Sequence, residues 1–162
     1  MQKISPFLWF DTQAEAAAKL YTSIFKNSKI TNTTQYPQSA EEVSGKSEGT
    51  VMTVAFELDG VSFTALNGGP NFTFNESVSF VVNCESQEEV DEYWNKLTAD
   101  GGQESQCGWL KDKFGLSWQI VPTAMGEILS DPDPAKADRA MKAMLQMKKI
   151  VIADLEKARD QT

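Results

Sequence analysis

Apolar residues repeat along the chain with two spacings. In residues 7–24, "FLWFDTQAEAAAKLYTSI", a short apolar run leads through a polar connection into positions Ala17, Leu20, Tyr21 and Ile24. The same order returns in residues 80–97, "FVVNCESQEEVDEYWNKL", with Val90, Tyr93, Trp94 and Leu97. Spacings of three and four place each set on one face of a helix. Superposing the segments pairs Phe7 with Phe80, Ala17 with Val90, Tyr21 with Trp94 and Ile24 with Leu97. The helix starts, "DTQAE" and "ESQEE", carry the hydroxyls and carboxylates favoured at helix N-termini.

Strand patterns follow each helix. "KITNTTQY" is β-branched and alternating, and "GTVMTVAFEL" and "VSFTALN" flank Asp59-Gly60, a strong hairpin signal. In the second half, Gly101-Gly102 ends the helix, and strands are expected around "QESQC", "GWLK" and "LSWQIVP". The pattern is therefore strand, helix, three strands, written twice. A polar loop at residues 37–49 and the linker "GGPNFTFNE" interrupt it. Beyond Pro122 the spacing turns helical. "TAMGEILSD" is a short helix candidate, and Pro134 suits the first turn of a longer helical tail. There Met141, Met144, Leu145, Met147 and Ile150 form a partly apolar stripe. The expected domains are a paired unit at residues 1–122, with modules of about 1–70 and 75–122, and a helical extension at 123–162.

Composition narrows the chemistry. The 162 residues include no histidine, which removes Ser-His and Cys-His nucleophile pairs and imidazole metal sites. A net charge of −8 without a Lys/Arg cluster argues against nucleic acid as a partner. The opening "MQKISPFLWFDTQ" has too short an apolar run for a signal peptide, and no stretch is long enough to span a bilayer. Cys84 and Cys107 form no metal-type spacing. A cytoplasmic protein with no membrane partner is expected. Cys107 is expected to be an inert buried thiol, since no histidine stands by to lower its pKa.

The doubled unit, together with "FLWFDTQAEAAAKLY", "ALNGGPNFTFNESVSFVV" and "CGWLKDKFGLSWQIVP", resembles the PhnB-like branch of the vicinal oxygen chelate superfamily. That superfamily includes glyoxalase I and the extradiol dioxygenases, and many proteins of this branch carry the name 3-demethylubiquinone-9 3-methyltransferase. The resemblance covers nearly the whole chain. It implies an α+β fold in which two βαβββ modules form a curved, incomplete barrel, here with a C-terminal helical tail, and it implies a homodimer. It also implies a divalent metal held by four strand positions. These fall on Pro6 and Asn67 in the first half and on Ser79 and Gln119 in the second. Proline brings no side-chain donor, serine is a poor ligand, and the two amides offer only neutral oxygens. A degraded metal site and no cofactor are therefore expected. The methyltransferase name finds no support in a glycine-rich loop. Gly68-Gly69-Pro70 has the wrong spacing for binding S-adenosylmethionine, and Pro70 lacks the backbone donor.

Alternation from Gln119 places Ser117, Gln119 and Val121 on the concave face, with Trp118 and Ile120 behind. A ligand cavity would be lined by Leu8, Phe10, Phe63, Asn67, Ser79 and Gln119, with Phe72 and Phe74 closing its mouth. Three function classes fit. The first is metal-free binding of a small molecule. The second is an enzyme of unknown reaction, with Tyr36, Glu76, Lys111 or Asp112 as acid-base candidates and a methyltransferase, glyoxalase-type lyase or dioxygenase reaction as its namesakes. The third is a structural dimer.

Overall fold

The computed structural model describes residues 1–161 and divides the chain into two compact units that meet at Phe74 and Asn75. The first unit contains β1 (Phe7–Phe10), α1 (Ala14–Ile24), β2 (Lys29–Gln35), the single-turn α2 (Glu41–Ser44), β3 (Val51–Leu58) and β4 (Val61–Asn67). Its sheet has the order β1-β4-β3-β2, with β1 parallel to β4 and the other pairs antiparallel. Asp59 and Gly60, both at positive φ, make the β3–β4 turn that their sequence predicts.

One face of this sheet is closed by α1. Tyr21 lies against Phe56, with ring centroids 6.2 Å apart, and Phe56 stacks on its cross-strand partner Phe63 at 5.4 Å. Leu8, Phe10, Val54, Phe56, Leu58, Phe63, Ala65 and Asn67 are all buried, as alternation requires of residues sharing that face. Phe7, Trp9, Thr64 and Leu66 occupy the opposite, open face. The linker after β4 folds back over β1. Trp9 Nε1 donates to the Gly69 carbonyl at 2.9 Å, and Phe72 meets the Trp9 ring edge-on at 4.9 Å. Gly68 is required there, because a Cβ would lie 2.3 Å from the Trp9 indole.

The second unit repeats the plan with β5 (Ser79–Cys84), α3 (Gln87–Thr98), β6 (Gln103–Glu104), β7 (Trp109–Lys111) and β8 (Ser117–Pro122), in the sheet order β5-β8-β7-β6. Val90, Trp94 and Leu97 of α3 are buried, as are Leu110, Trp118 and Ile120 of the sheet. Ser86 caps α3 by accepting from Glu89 N at 3.2 Å, while Glu89 Oε2 accepts from Glu85 N at 2.8 Å.

The two halves do not superpose with one offset. Their helices align Tyr21 with Trp94, as the sequence repeat predicts, but their strands align Phe10 with Cys84, one residue further along. The strand-to-helix connection spans residues 11–13 in the first unit and is one residue shorter, at 85–86, in the second. That deletion exchanges the faces of neighbouring strand positions. The counterpart of Ser79 is consequently Ser5, and the expected equivalence of Pro6 with Ser79 does not hold.

The tail forms three helices, α4 (Thr123–Leu129), α5 (Pro134–Met144) and α6 (Ile152–Asp160), around Ile128, Ala140, Ile150 and Leu155. Asp133 caps α5, accepting from Ala135 N at 3.0 Å, with Pro134 in the first turn. Within the helical tail, residues 145–151 lie outside the helices, and this segment is held to the βαβββ part of the second unit by its backbone. Cys107 N and Gly108 N donate to the carbonyls of Met147 and Lys148, each at 2.8 Å. Gln87 of α3 donates to the Ile150 carbonyl at 3.0 Å and accepts from Ile152 N at 2.8 Å. The apolar stripe is thus partly inward: Ile150 is buried, while Met141 and Leu145 remain exposed.

Gln87 serves two backbone groups that have left the helical ladder, so Gln87→Ala is expected to cost roughly 1–3 kcal/mol. Hydrogen exchange should quicken at Ile152, Cys107 and Gly108 well before it quickens in β8. Unchanged protection at those amides would show that the tail is held by its apolar core alone.

Candidate functional site

Asn67 is occupied by structure. It ends β4 on the helix-covered face, 8% exposed, and its Oδ1 accepts from Ala14 N at 2.8 Å. The first helix has Gln13 at its N-cap with no side-chain cap bond, so Asn67 serves as its cap from a distant strand. Asn67 Nδ2 donates to the Val51 carbonyl at 3.1 Å, and its own carbonyl accepts from the Tyr36 hydroxyl. Pro6 contributes only a carbonyl, taken by Thr64 N at 3.0 Å. Leu8, Phe10 and Phe63 likewise point toward α1, with Phe10 meeting Phe74 at 5.1 Å. The expectation that these four residues line an open cavity is therefore corrected for Leu8, Phe10, Phe63 and Asn67. Phe72 lies on Trp9 and is 65% exposed.

The second sheet behaves differently. Its parallel β5–β8 register sets Ser79 beside Ser117 and Val81 beside Gln119. Antiparallel β7 adds Lys111 beside Ser117 and Trp109 beside Gln119. All six are therefore on the face away from α3. Gln119 Nε2 donates to Ser79 Oγ at 2.9 Å, bringing together two of the four proposed ligand positions. Behind them Trp118 and Ile120 are buried, so β8 presents the faces that its alternation predicts.

Next to this pair lies a small cleft of about 120 Å³, lined by residues that include Glu76, Gln103, Trp109, Lys111 and Ser117. Lys111 Nζ is ion-paired with the Glu76 carboxylate, which holds that carboxyl below its ordinary range, chiefly through the hydrogen bond. Ser117 Oγ is buried and has no hydrogen-bond partner among the described residues. An orphaned hydroxyl of this kind costs about 1–3 kcal/mol unless something fills the need.

The remaining acid-base candidates divide. Asp112 is 2% exposed and wholly committed to the β7–β8 turn. Its Oδ1 accepts from Phe114 N at 2.8 Å and Leu116 N at 3.1 Å, and its Oδ2 from Trp118 Nε1 at 2.9 Å. Tyr36 is buried on a backbone carbonyl. Glu76 and Lys111 alone stand at an accessible cleft. Cys107, expected to be buried, is only half-buried, whereas Cys84 is fully enclosed and burial pushes its thiol up to about 12. The orphaned Ser117 could not be read from sequence. The alternation does place it on the open face, but only the structure shows that nothing meets it.

The donors do not suit a chelated divalent ion. The first unit offers a proline and an amide whose two polar atoms are engaged, and the second offers a neutral hydroxyl and amide already bonded to each other. Among the described residues no group of three or more Cys, Asp or Glu side chains is placed to hold a metal. Nor do the glycines at residues 68–69 form a phosphate or cofactor cradle, since they accommodate Trp9.

Comparisons with known proteins agree with this architecture. A family model described as 3-demethylubiquinone-9 3-methyltransferase matches residues 2–121 and stops where α4 begins. No curated protein matches the sequence. A Bacillus cereus protein described as a putative 3-demethylubiquinone-9 3-methyltransferase, PhnB protein, is 35% identical. The similarity covers 75% of this chain and 100% of that one, with a TM-score of 0.66. A Pseudomonas aeruginosa protein has 18% identity over 75% of this chain and 98% of its own, with a TM-score of 0.60. A single-site mutant of the Listeria monocytogenes fosfomycin resistance protein, complexed with Mn(II) and 1S,2S-dihydroxypropylphosphonic acid, gives 16% identity and a TM-score of 0.52 over 75% and 92% of the two chains. The last two show likeness of fold alone, the paired α+β arrangement described above.

Asn67→Ala removes the cap of α1 and leaves the Val51 carbonyl unserved. Urea denaturation should show a loss of about 2 kcal/mol. A stability equal to the parent's would mean that the Asn67 amide is dispensable to the fold and available for a ligand.

Proposed function

The chain belongs to the 3-demethylubiquinone-9 3-methyltransferase family of PhnB-like proteins, and on that footing we propose that it binds a small organic molecule on the open face of its second sheet, without the divalent ion of the superfamily. The observation that carries this reading is the Gln119–Ser79 hydrogen bond. A hard cation needs carboxylate support, and a soft one needs thiolate or imidazole. A hydroxyl and an amide that satisfy each other supply neither. What they do supply is a fixed donor-acceptor pair flanked by Val81 and Trp109, the mixture of apolar wall and few polar groups that suits small ligands. The Mn(II) of the Listeria protein is not carried over, because Pro6, Asn67, Ser79 and Gln119 bring no charged side chain.

Isothermal titration of chelator-stripped protein with zinc, nickel, manganese and magnesium should give no heat beyond dilution. Micromolar binding that disappears in Gln119→Ala would restore a metal centre and end this reading.

The same reading includes a homodimer in a cytoplasmic setting. Val78 and Val81 stand 62% and 52% exposed beside the polar pair, an apolar surface that association would withdraw from water. Light scattering behind gel filtration should give twice the single-chain mass. A single-chain mass at micromolar concentration removes the dimer but leaves the binding site.

A further inference from the structure

Three observations converge on the cleft beside β7. Gln103, Lys111, Ser117 and Ser79 form one row across the sheet, each the register partner of the next, so their side chains share the open face. The middle of that row is one ammonium group and one buried hydroxyl. The ammonium already holds a carboxylate, that of Glu76, whose side chain is 63% exposed and hangs from the segment before β5. The hydroxyl holds nothing: Ser117 is 1% exposed, lines the cleft and has no hydrogen-bond partner among the described residues. The cleft's roughly 120 Å³ exceeds the 10–15 Å³ or so that a single water needs.

We infer that this cleft takes the carboxylate of a small monoanionic organic acid, which displaces Glu76 from Lys111 and gives Ser117 its missing acceptor. The inference rests on the proposal that the open face of the second sheet is a small-molecule site, and it names that molecule's class. Glu76 is the internal stand-in: it shows that a carboxylate fits the ammonium here, and its exposure lets it swing aside without disturbing the packed core. One cation favours a single negative charge on the ligand. A dianion would meet only one compensating charge on a chain whose net charge is −8. Gln103, at the edge of the row, offers a further amide to the acid's second oxygen or to its substituent. The pairing at Lys111 stays one to one, because the Glu76 carboxylate that leaves it returns to water as the ligand's carboxylate arrives.

The test is an amide-resolved NMR titration of the full chain with acetate, propionate and lactate, using lactamide as the uncharged control. The parent protein, Glu76→Gln, Lys111→Met and Gln119→Ala are compared. At least one of the acids should shift the amides of Lys111 and Ser117, and lactamide should not. Glu76→Gln removes the competitor and should tighten binding by roughly two- to fivefold, the worth of an exposed ion pair. Lys111→Met should weaken it by about tenfold or more. Absence of binding by both parent and Glu76→Gln, or equal affinity in those two, overturns the inference. Binding that ignores Lys111→Met but is lost in Gln119→Ala overturns the carboxylate assignment while leaving the small-molecule site in place. Loss of all ligand response, lactamide included, in every variant and the parent removes both.

Discussion

The register of β8 depends on one buried hydrogen bond, from the Trp118 indole to Asp112 Oδ2. The same carboxylate receives the amides of Phe114 and Leu116 through its other oxygen, so the turn and the strand that leaves it are tied to a single group. A carboxylate this enclosed is tolerated only because three donors compensate it. With Trp118 fixed on the side of α3, a period of two leaves no freedom for its neighbours. Ser117 and Gln119 must face the other way. The polar row, the Gln119–Ser79 pair and the cleft are consequences of that one anchoring. Asp112, an acid-base candidate on the page of the sequence, is instead the group that holds this strand and its turn in place.

How far the sequence could be read depended on whether a strand's two faces differ in chemistry. In "SWQIVP" they do, and the alternation places Gln119 and Trp118 as the structure does. In "FLWF" every residue is apolar, so the pattern does not say which two point at α1. The helix stripes, Tyr21 and Trp94 among them, were legible because three- and four-residue spacing survives in both halves. Carrying their offset into the strands led to the error at Pro6, since the connection before α3 is one residue shorter. Asn67 escaped for a different reason. Its role as the cap of α1 joins residues far apart in the chain, and local spacing holds no trace of such a bond. The turn at Asp59-Gly60 lies at the other extreme, since its conformational demand is entirely local.

The tail helices show how an added segment can be secured without a large interface of its own. Their core is built on four fully buried residues, Ile128, Ala140, Ile150 and Leu155, with partly buried side chains such as Met125, Leu129 and Met144 packed around them. Backbone groups of residues 147–152 add hydrogen bonds with Cys107, Gly108 and Gln87. Gly108 is required at this junction, since it lies at positive φ and a Cβ there would sit 2.9 Å from the Ile120 carbonyl. The tail is therefore joined to the strand pair that carries Trp109 and Gln119, and it braces that sheet from the edge of β7.

The two sheets share a topology but not an allocation of polar groups. By strand register, the position that holds Gln119 opposite Val81 in the second sheet is held by Thr64 opposite Phe7 in the first. Thr64 is short and its backbone amide is spent on Pro6, while Asn67, at the end of the same strand, faces the helix it caps. Trp9 covers part of the remaining open face and is itself fastened to the linker through Gly69. The first unit has thus committed Asn67 to holding its own helix, whose N-cap residue makes no side-chain bond. The second unit carries Ser86 as a local cap for α3, and so has no need of a strand amide for that purpose. The strand position that carries the capping amide in the first sheet is held by Pro122 in the second, and Gln119 stands on the other face in place of the short Thr64, so the polar pair with Ser79 forms on one sheet of the doubled fold.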